Sequence, residues 1–423
     1  MTQETYEAIS LFLADKLAGT QFEGKTYFVG GCERDRILNN DNNDIDIVVE
    51  IKNGAQKLVN YLHTNGLLRF SVSYENFGTV CFELYHFPDI KIEAVQTRKE
   101  CYRDSSRNPE VTFGTIEDDC HRRDFTINAL YRDICTGKMY DFNGNAVNDL
   151  ISKTLYTCGD PNIIFTEDPL RILRAIRFAA RLDFVIDPGV REMMNKHAYR
   201  LSIVSMERIK DEICKMLSNN NCDIAMASLD NMEVMKFVLP VNVYDIFCEG
   251  NFAVKQIKTI PFVSNIKTPN GYLVNLSYTF KDVSDDETNI LFTYMNFSKN
   301  EISTINLYKK CINILLSEGD KEAHLREVKY LCKDNIALND ILCGIGIRSK
   351  SDERTFRVLA SFNVSDKWFD YKLPVNGNDI LEIRDMKIGG PIVAEILDEL
   401  YTKSFTHEDG ITEDYCRTFI QAY

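Results

Sequence analysis

No stretch of this chain approaches the roughly 20 consecutive apolar residues needed to cross a bilayer, so no membrane span is expected. The segment Met1 to Ser10 is polar and acidic rather than Arg-rich, which predicts a cytoplasmic protein. Neither a CxxC clamp nor an HExxH helix occurs. The 13 cysteines are odd in number and scattered, with Cys214 and Cys222 the closest pair. That scatter excludes a disulfide framework and zinc hydrolase chemistry; it leaves reduced, mostly buried thiols, and any metal should be oxygen-ligated. A basic surplus is missing too: the net charge of -14 argues against a protein that coats nucleic acid, because such coating requires a basic surface. Local patches remain, since Thr166 to Lys215 carries ten Lys or Arg against eight Asp or Glu. Repeats and low-complexity tracts are absent. With 44% hydrophobic and 26% charged residues the composition is that of a folded protein, and 423 residues exceed one ordinary core.

What is present divides the chain. The first third alternates strand and helix signals. Ile9, Phe12, Leu13 and Leu17 have helical spacing, whereas Tyr27 to Gly30, Ile45 to Val49, Thr79 to Leu84 and Ile90 to Val95 read as strands. The last two are expected to pair across a turn at Pro88 and Asp89. From Asp168 onward helical patterns dominate: Pro169 to Arg181, Val190 to Ala198, Met206 to Leu217, Ile224 to Leu229, Lys299 to Leu316 and Pro391 to Lys403. Breaks are expected at Leu239 to Gly250, Lys281 to Glu287 and Leu373 to Asp379. The fold class predicted is α+β, a mixed-sheet module ending near Gly137 followed by a helical array.

Two short motifs carry the chemistry. Gly30-Gly31-Cys32-Glu33-Arg34-Asp35 puts a glycine pair between a strand and a helix, where backbone amides can approach a phosphate. Asp44-Ile45-Asp46 then sets two carboxylates on one side of a strand, with Ile45 facing the core. Side by side they repel unless a cation lies between them. Mg²⁺ takes oxygen ligands and bridges to substrate phosphates, which suits a nucleoside triphosphate site. An isolated Asp-x-Asp is more often an exposed strand start, and an isolated Gly-Gly more often only a turn.

Together, the glycine pair and the Asp-x-Asp resemble the signature of DNA polymerase β-like nucleotidyltransferases. That resemblance implies a third acidic residue on a neighbouring strand: Glu93, with Glu83 the competing choice. Further on stand Arg122-Arg123-Asp124-Phe125-Thr126-Ile127-Asn128 and Phe165-Thr166-Glu167-Asp168-Pro169-Leu170-Arg171-Ile172-Leu173-Arg174-Ala175-Ile176-Arg177, then Met206-Glu207-Arg208-Ile209-Lys210-Asp211-Glu212. In this order the runs resemble class II tRNA nucleotidyltransferases and bacterial poly(A) polymerases. The resemblance implies a catalytic head (1–137), a base-recognising neck (138–205), a body (206–270) and an RNA-binding tail (271–423). It implies Asp44, Asp46 and Glu93 as catalytic, with Asp44 and Asp46 on Mg²⁺. Gly30, Gly31 and Arg34 would face the nucleotide; Arg123, Asp124 and Asn128 would select ribose. Glu167, Asp168, Arg171 and Arg174 would meet the base, and Arg177, Arg208, Gly389 and Gly390 the RNA. Read blandly, Asp168 is a helix cap and Arg171, Arg174 and Arg177 are a solvated face. Glu33, Asn145 and Tyr156 depart from the residues usual in the family.

The implied substrates are CTP, ATP and the 3′ end of a transfer RNA. The polar segment Thr97 to Arg107 has few apolar anchors and reads as a mobile loop at the place where full CCA-adding enzymes carry one. Full CCA addition is therefore expected over CC-only or A-only addition or poly(A) tailing. Outside the enzyme class, the rival is an RNA-binding scaffold that has lost its chemistry.

Overall fold

The computed structural model describes residues 1–41, 44–74, 78–103, 106–218, 221–255, 271–333, 338, 341–342, 364–386 and 389–423. They form two compact units, Met1–Val204 and Ser205–Tyr423.

The first unit opens with α1 (Gln3–Leu17), capped by the Thr2 hydroxyl on the Thr5 amide, with Tyr6, Ile9, Leu13 and Leu17 buried along one face. A mixed sheet follows, built from β1 (Thr26–Val29), β2 (Ile45–Val49), β3 (Leu68–Tyr74), β4 (Thr79–Leu84), β5 (Phe87–Gln96), β8 (Tyr131–Asp133) and β9 (Met139–Tyr140). Its strand order is β3-β4-β5-β2-β1-β8-β9. Only β2 and β5 run parallel; their crossover is made by α3 (Gly54–Thr64) and the β3–β4 hairpin. Because strand side chains alternate, the sheet has two unlike faces. Ile45, Ile47, Val49, Val80, Phe82, Ile92 and Ala94 pack under α1 and α3 in the larger core. On the other face Tyr27, Val29, Val48 and Tyr131 pack with Ile116 and Cys120 of α4 (Ile116–His121). That second core stops at β5, leaving the β5–β4–β3 end of this face open.

Three expectations change. The β4–β5 turn lies at Tyr85 and His86, not at Pro88 and Asp89, since Leu84 pairs with Phe87; Asp89 takes a left-handed φ of 67° within β5. Gly137, at φ 70°, is the turn of the β8–β9 hairpin, so the sheet continues to Tyr140. The segment expected as a mobile loop is a β-ribbon, in which β6 (Arg98–Arg103) pairs antiparallel with β7 (Ser106–Phe113). Alternate backbone pairing forms this ribbon without the apolar pattern that marks a buried strand. Asp104 and Ser105 of that segment lie outside the described residues.

Beyond the sheet come α5 (Ala146–Ile151), α6 (Pro161–Glu167), α7 (Leu170–Leu182) and α8 (Pro188–His197). Asp160 and Asp187 cap α6 and α8, each with proline in the first turn.

The second unit is helical throughout its described residues. Helices α9 (Met206–Leu217), α10 (Cys222–Asn231), α11 (Val241–Lys255), α12 (Gly271–Thr279), α13 (Asp285–Tyr294), α14 (Lys299–Leu316) and α15 (Lys321–Cys332) come first. Here the sequence periods of α9 and α14 match the observed ends. The break expected at Leu239 to Gly250 is shorter: Leu239 and Pro240 lie outside helix, but α11 runs from Val241 on through Gly250, since one glycine is tolerated inside a helix. The expected boundary at residue 270 lies outside the described residues. Ser298 and Glu301 form a capping box at α14, and Lys210 of α9 reaches Glu301 at 2.9 Å. Helices Gly377–Ile383, Pro391–Phe405 and Glu413–Ala422 close on Ile380, Ile396, Leu400, Cys416 and Ile420. Among the described residues no helix is long and apolar enough to cross a membrane.

Candidate active site

Strand β1 delivers the chain to Gly30, whose φ of 78° is open to few residues other than glycine. A Cβ there would lie 3.1 Å from Asp46 Oδ2 and 3.7 Å from Arg123 Nη1. Gly30 is thus needed both for its backbone angle and for close approach to the carboxylate. Gly31 opens the short helix α2 (Gly31–Ile37).

Asp46 lies directly opposite Glu93 in the parallel β2–β5 register. Burial first, then Glu93 and Asp44, raise the Asp46 carboxyl to about 6, against the pull of Arg123 and Arg34. Glu93 is raised as well, by removal from water and by Asp44. Asp44, Asp46 and Glu93 are therefore gathered. Glu83, the competing choice, lies on β4, pairs in register with Phe70 and meets Arg69 at 3.5 Å. Oxygen donors under mutual repulsion suit a divalent cation. Among the described residues no three His, Cys, Asp or Glu side chains already close around a metal position. A hard cation that keeps waters and takes substrate oxygens does not need such a cage.

The Arg-Arg-Asp segment leaves α4 beside these carboxylates. Arg123 donates to Asp119 Oδ2 at 3.1 Å, to the Tyr131 hydroxyl at 2.9 Å and to the Asn128 carbonyl at 3.3 Å. Asp119 also accepts from Arg122 at 2.5 and 2.9 Å and from Tyr131 at 2.8 Å. Burial alone would raise Asp119, but Arg123 and Arg122 outweigh it and hold the carboxyl below its usual range. The motifs did not single out Asp119; its spacing three and four residues before the two arginines was the available signal.

Asp124 accepts from Arg174 Nε at 2.8 Å, from the Phe125 amide at 2.8 Å and from the Asn128 amide at 3.3 Å. It too sits below its usual range, since burial is overcome by Arg174 and these hydrogen bonds. Asn128 receives Arg34 Nη1 on its carbonyl oxygen at 2.7 Å, and Arg34 in turn grips Asp35 at 2.8 and 2.9 Å. Arg34 is only 2% exposed, and its guanidinium meets the Asn128 side chain.

Helix α7 does not present a solvated arginine face. Arg171 is buried and donates to the Ile164 carbonyl at 3.1 Å, Glu167 at 3.2 Å and the Arg122 carbonyl at 2.8 Å. Arg177 is buried as well, 4.3 Å over the Phe178 ring, which Arg34 and Arg174 also face at 5.4 and 5.3 Å. Asp168 ends α6 and stands one residue before the α7 N-cap, Pro169, so it is not that helix's N-cap; its half-exposed side chain accepts from the Leu170 amide at 3.2 Å. Arg208, exposed, and Gly389 and Gly390 belong to the second unit. Neither glycine has a neighbour within 4 Å of a Cβ position or a left-handed φ, so packing at a helix corner does not require them. Glu33 is buried but satisfied by Tyr6 at 2.5 Å, Arg132 at 2.9 Å and Arg36 at 3.0 Å.

Carboxylates on adjacent strands, a glycine turn against them and an arginine-lined helix start define a nucleotidyltransferase head. Comparison with known proteins gives the same class. A family model described as the poly A polymerase head domain matches residues 26–156, and one described as the probable RNA and SrmB-binding site of polymerase A matches 183–243. The tRNA nucleotidyltransferase cca2 of Schizosaccharomyces pombe is 26% identical over 93% of this chain and 91% of its own. The CCA-adding enzyme of Staphylococcus haemolyticus is 28% identical over 94% and 93%. In fold, the chain resembles the Bacillus stearothermophilus CCA-adding enzyme solved with CTP, at a TM-score of 0.66 and 20% identity, covering 94% of this chain and 92% of that one. Residues 26–156 thus match the poly A polymerase head domain, and the relatives similar over nearly the whole chain are a tRNA nucleotidyltransferase and a CCA-adding enzyme.

Asn128 is the bridge between two buried charged clusters, which yields a test. Asn128→Ala is expected to destabilise the protein by about 1.5–3 kcal/mol, the usual cost of losing hydrogen bonds to charged groups. Thermal unfolding measures this, and an unchanged midpoint would show that the bridge holds nothing.

Proposed function

We propose that this protein adds C, C and A to the 3′ end of transfer RNA from CTP and ATP, without a nucleic-acid template. The observation that carries the reading is the opposition of Asp46 and Glu93 on parallel strands, with Asp44 beside them and Gly30 so close that a Cβ there would lie 3.1 Å from Asp46 Oδ2. The relatives that span nearly the whole chain are tRNA nucleotidyltransferases and CCA-adding enzymes, which supports the same activity. A scaffold that had lost catalysis would have no reason to keep Asp44, Asp46, Asp124, Asp168 and Arg171 together.

In the reaction the acceptor's terminal 3′ oxygen bonds to the α-phosphorus of the nucleotide. The α–β phosphoanhydride bond breaks, pyrophosphate leaves and the hydroxyl proton passes to solvent. Asp44 and Asp46, with Glu93 adjacent, would hold Mg²⁺, which would polarise the phosphate and help activate the hydroxyl. The Gly30–Gly31 turn and Arg123 face the triphosphate, while Asp124 and Asn128 lie where a ribose hydroxyl would be read. Asp168 and Arg171 choose the base. A carboxylate accepts from an exocyclic amine and a guanidinium donates to a ring nitrogen, so the pair fits cytosine and adenine and leaves uracil and guanine mismatched. Contact of Arg208, Gly389 and Gly390 with the RNA belongs to this reading as well.

Incubation of the protein with Mg²⁺, CTP, ATP and a transfer RNA lacking CCA is expected to add three nucleotides in that order. Asp46→Ala is expected to abolish addition by orders of magnitude while RNA binding persists. A long ladder of A would make the protein a poly(A) polymerase, and no extension would leave only the scaffold. For base choice, Asp168→Ala is expected to narrow the preference for CTP and ATP over UTP and GTP. If relative use of the four nucleotides is unmoved while the melting temperature falls, Asp168 only steadies the start of α7.

A further inference from the structure

The residues proposed to face the triphosphate and ribose lie on one side of the carboxylates. Gly30 follows β1, and Arg123, Asp124 and Asn128 lead into β8, so they stand on the β1–β8 side of Asp46 in the sheet order. Nucleotidyl transfer joins two substrates at one phosphorus, so the second must approach Glu93 from the opposite side. There the sheet's open face holds a cleft of about 530 Å³. Two rungs of the ladder floor it. One runs from Glu93 to Cys81, and the other from Val95 through Thr79 to Tyr74. Arg98 and Arg122 supply the charged wall.

We propose that this cleft is the subsite for the 3′-terminal nucleotide of the acceptor RNA, with the Tyr74 ring as its stacking platform and Arg98 and Arg122 facing its phosphodiester. The assignment rests on the nucleotidyl transfer proposed above and deepens it. Its chemistry suits the requirement. The volume lies in the range of small-molecule sites, and a terminal nucleotide fits it. Tyr74 is 49% exposed, so its ring offers a free face. The acceptor's last base changes after every addition, so this site cannot read base edges without stalling the series. Stacking on an aromatic ring and charge on a phosphate are both indifferent to base identity. Glu93, at the inner end of the cleft, places the terminal hydroxyl next to the carboxylates.

The test is steady-state kinetics on transfer RNAs lacking CCA, CA or A, with acceptor and nucleotide varied separately. Tyr74→Ala is expected to raise the acceptor KM about tenfold at each of the three steps, the usual scale for one lost base–aromatic stack. The KM values for CTP and ATP stay within about twofold, because the nucleotide side is untouched. Tyr74→Phe, which keeps the ring, restores the acceptor KM. Arg98→Gln is expected to lower the slope of log affinity against log salt by about one. An unchanged acceptor KM in Tyr74→Ala, an effect on nucleotide KM instead, or a loss confined to one step overturns the assignment. If the wild-type protein extends none of the three RNAs, the proposed function falls and takes this subsite with it; wild-type extension with an indifferent Tyr74→Ala removes the subsite alone.

Discussion

Asp46 and Glu93 face each other across the single parallel strand pair of the seven-stranded sheet, and that repulsion is the constraint around which the first unit is organised. Burial, with Glu93 and Asp44 adding to it, displaces the Asp46 carboxyl upward, and burial with Asp44 does the same to Glu93. The parallel pairing demands a crossover, which α3 and the β3–β4 hairpin provide. Gly30 is required because a side chain would collide with Asp46, and Arg123 moderates the charge without cancelling it. A site that is costly when empty and relieved by a cation is prepared to bind one.

Around that centre lies a network of buried charge in which each member is held by several others. Asp119 is clamped by Arg122, Arg123 and Tyr131; Asp124 is held by Arg174 and Asn128; Asn128 is held by Arg34, which is locked by Asp35. Buried ions are tolerated only when so completely paired, and removing one partner leaves the rest exposed to the full desolvation cost. The network joins the α2 turn, the approach to β8 and the start of α7 into one piece. Arg171 extends it by donating to the Arg122 carbonyl. The helix start proposed to meet the base is therefore positioned by the same contacts that border the carboxylates. Such preorganisation lets polar groups act without rearranging during the reaction.

Much of this was legible in the sequence because the motifs are local. The glycine pair, Asp44 and Asp46, and the arginine spacing of α7 each sit within one turn or one strand. The choice of Glu93 over Glu83 was not legible: both lie on apolar-alternating strands, and only the register that puts Asp46 opposite Glu93 separates them. Spacing left open a solvated face for Arg171, Arg174 and Arg177, since neither composition nor period reveals that Phe178 gathers three guanidinium groups. The β6–β7 ribbon was missed for a related reason. A ribbon outside the main sheet needs no buried face and so leaves no periodic signal. In the helical unit the periods of α9 and α14 identified them directly, whereas Gly250 suggested a break inside α11 that packing overrides.

The central claim is that the Asp46–Glu93 pair is a destabilising juxtaposition relieved by a divalent cation. Thermal unfolding of the wild-type protein and of Glu93→Gln, each with and without Mg²⁺, tests it most directly and without reference to turnover. The account predicts that Mg²⁺ raises the wild-type midpoint through linkage, that Glu93→Gln without metal is at least as stable as wild type, and that it gains little from Mg²⁺. A wild-type midpoint indifferent to Mg²⁺, together with a Glu93→Gln variant that is markedly less stable without metal, would contradict it.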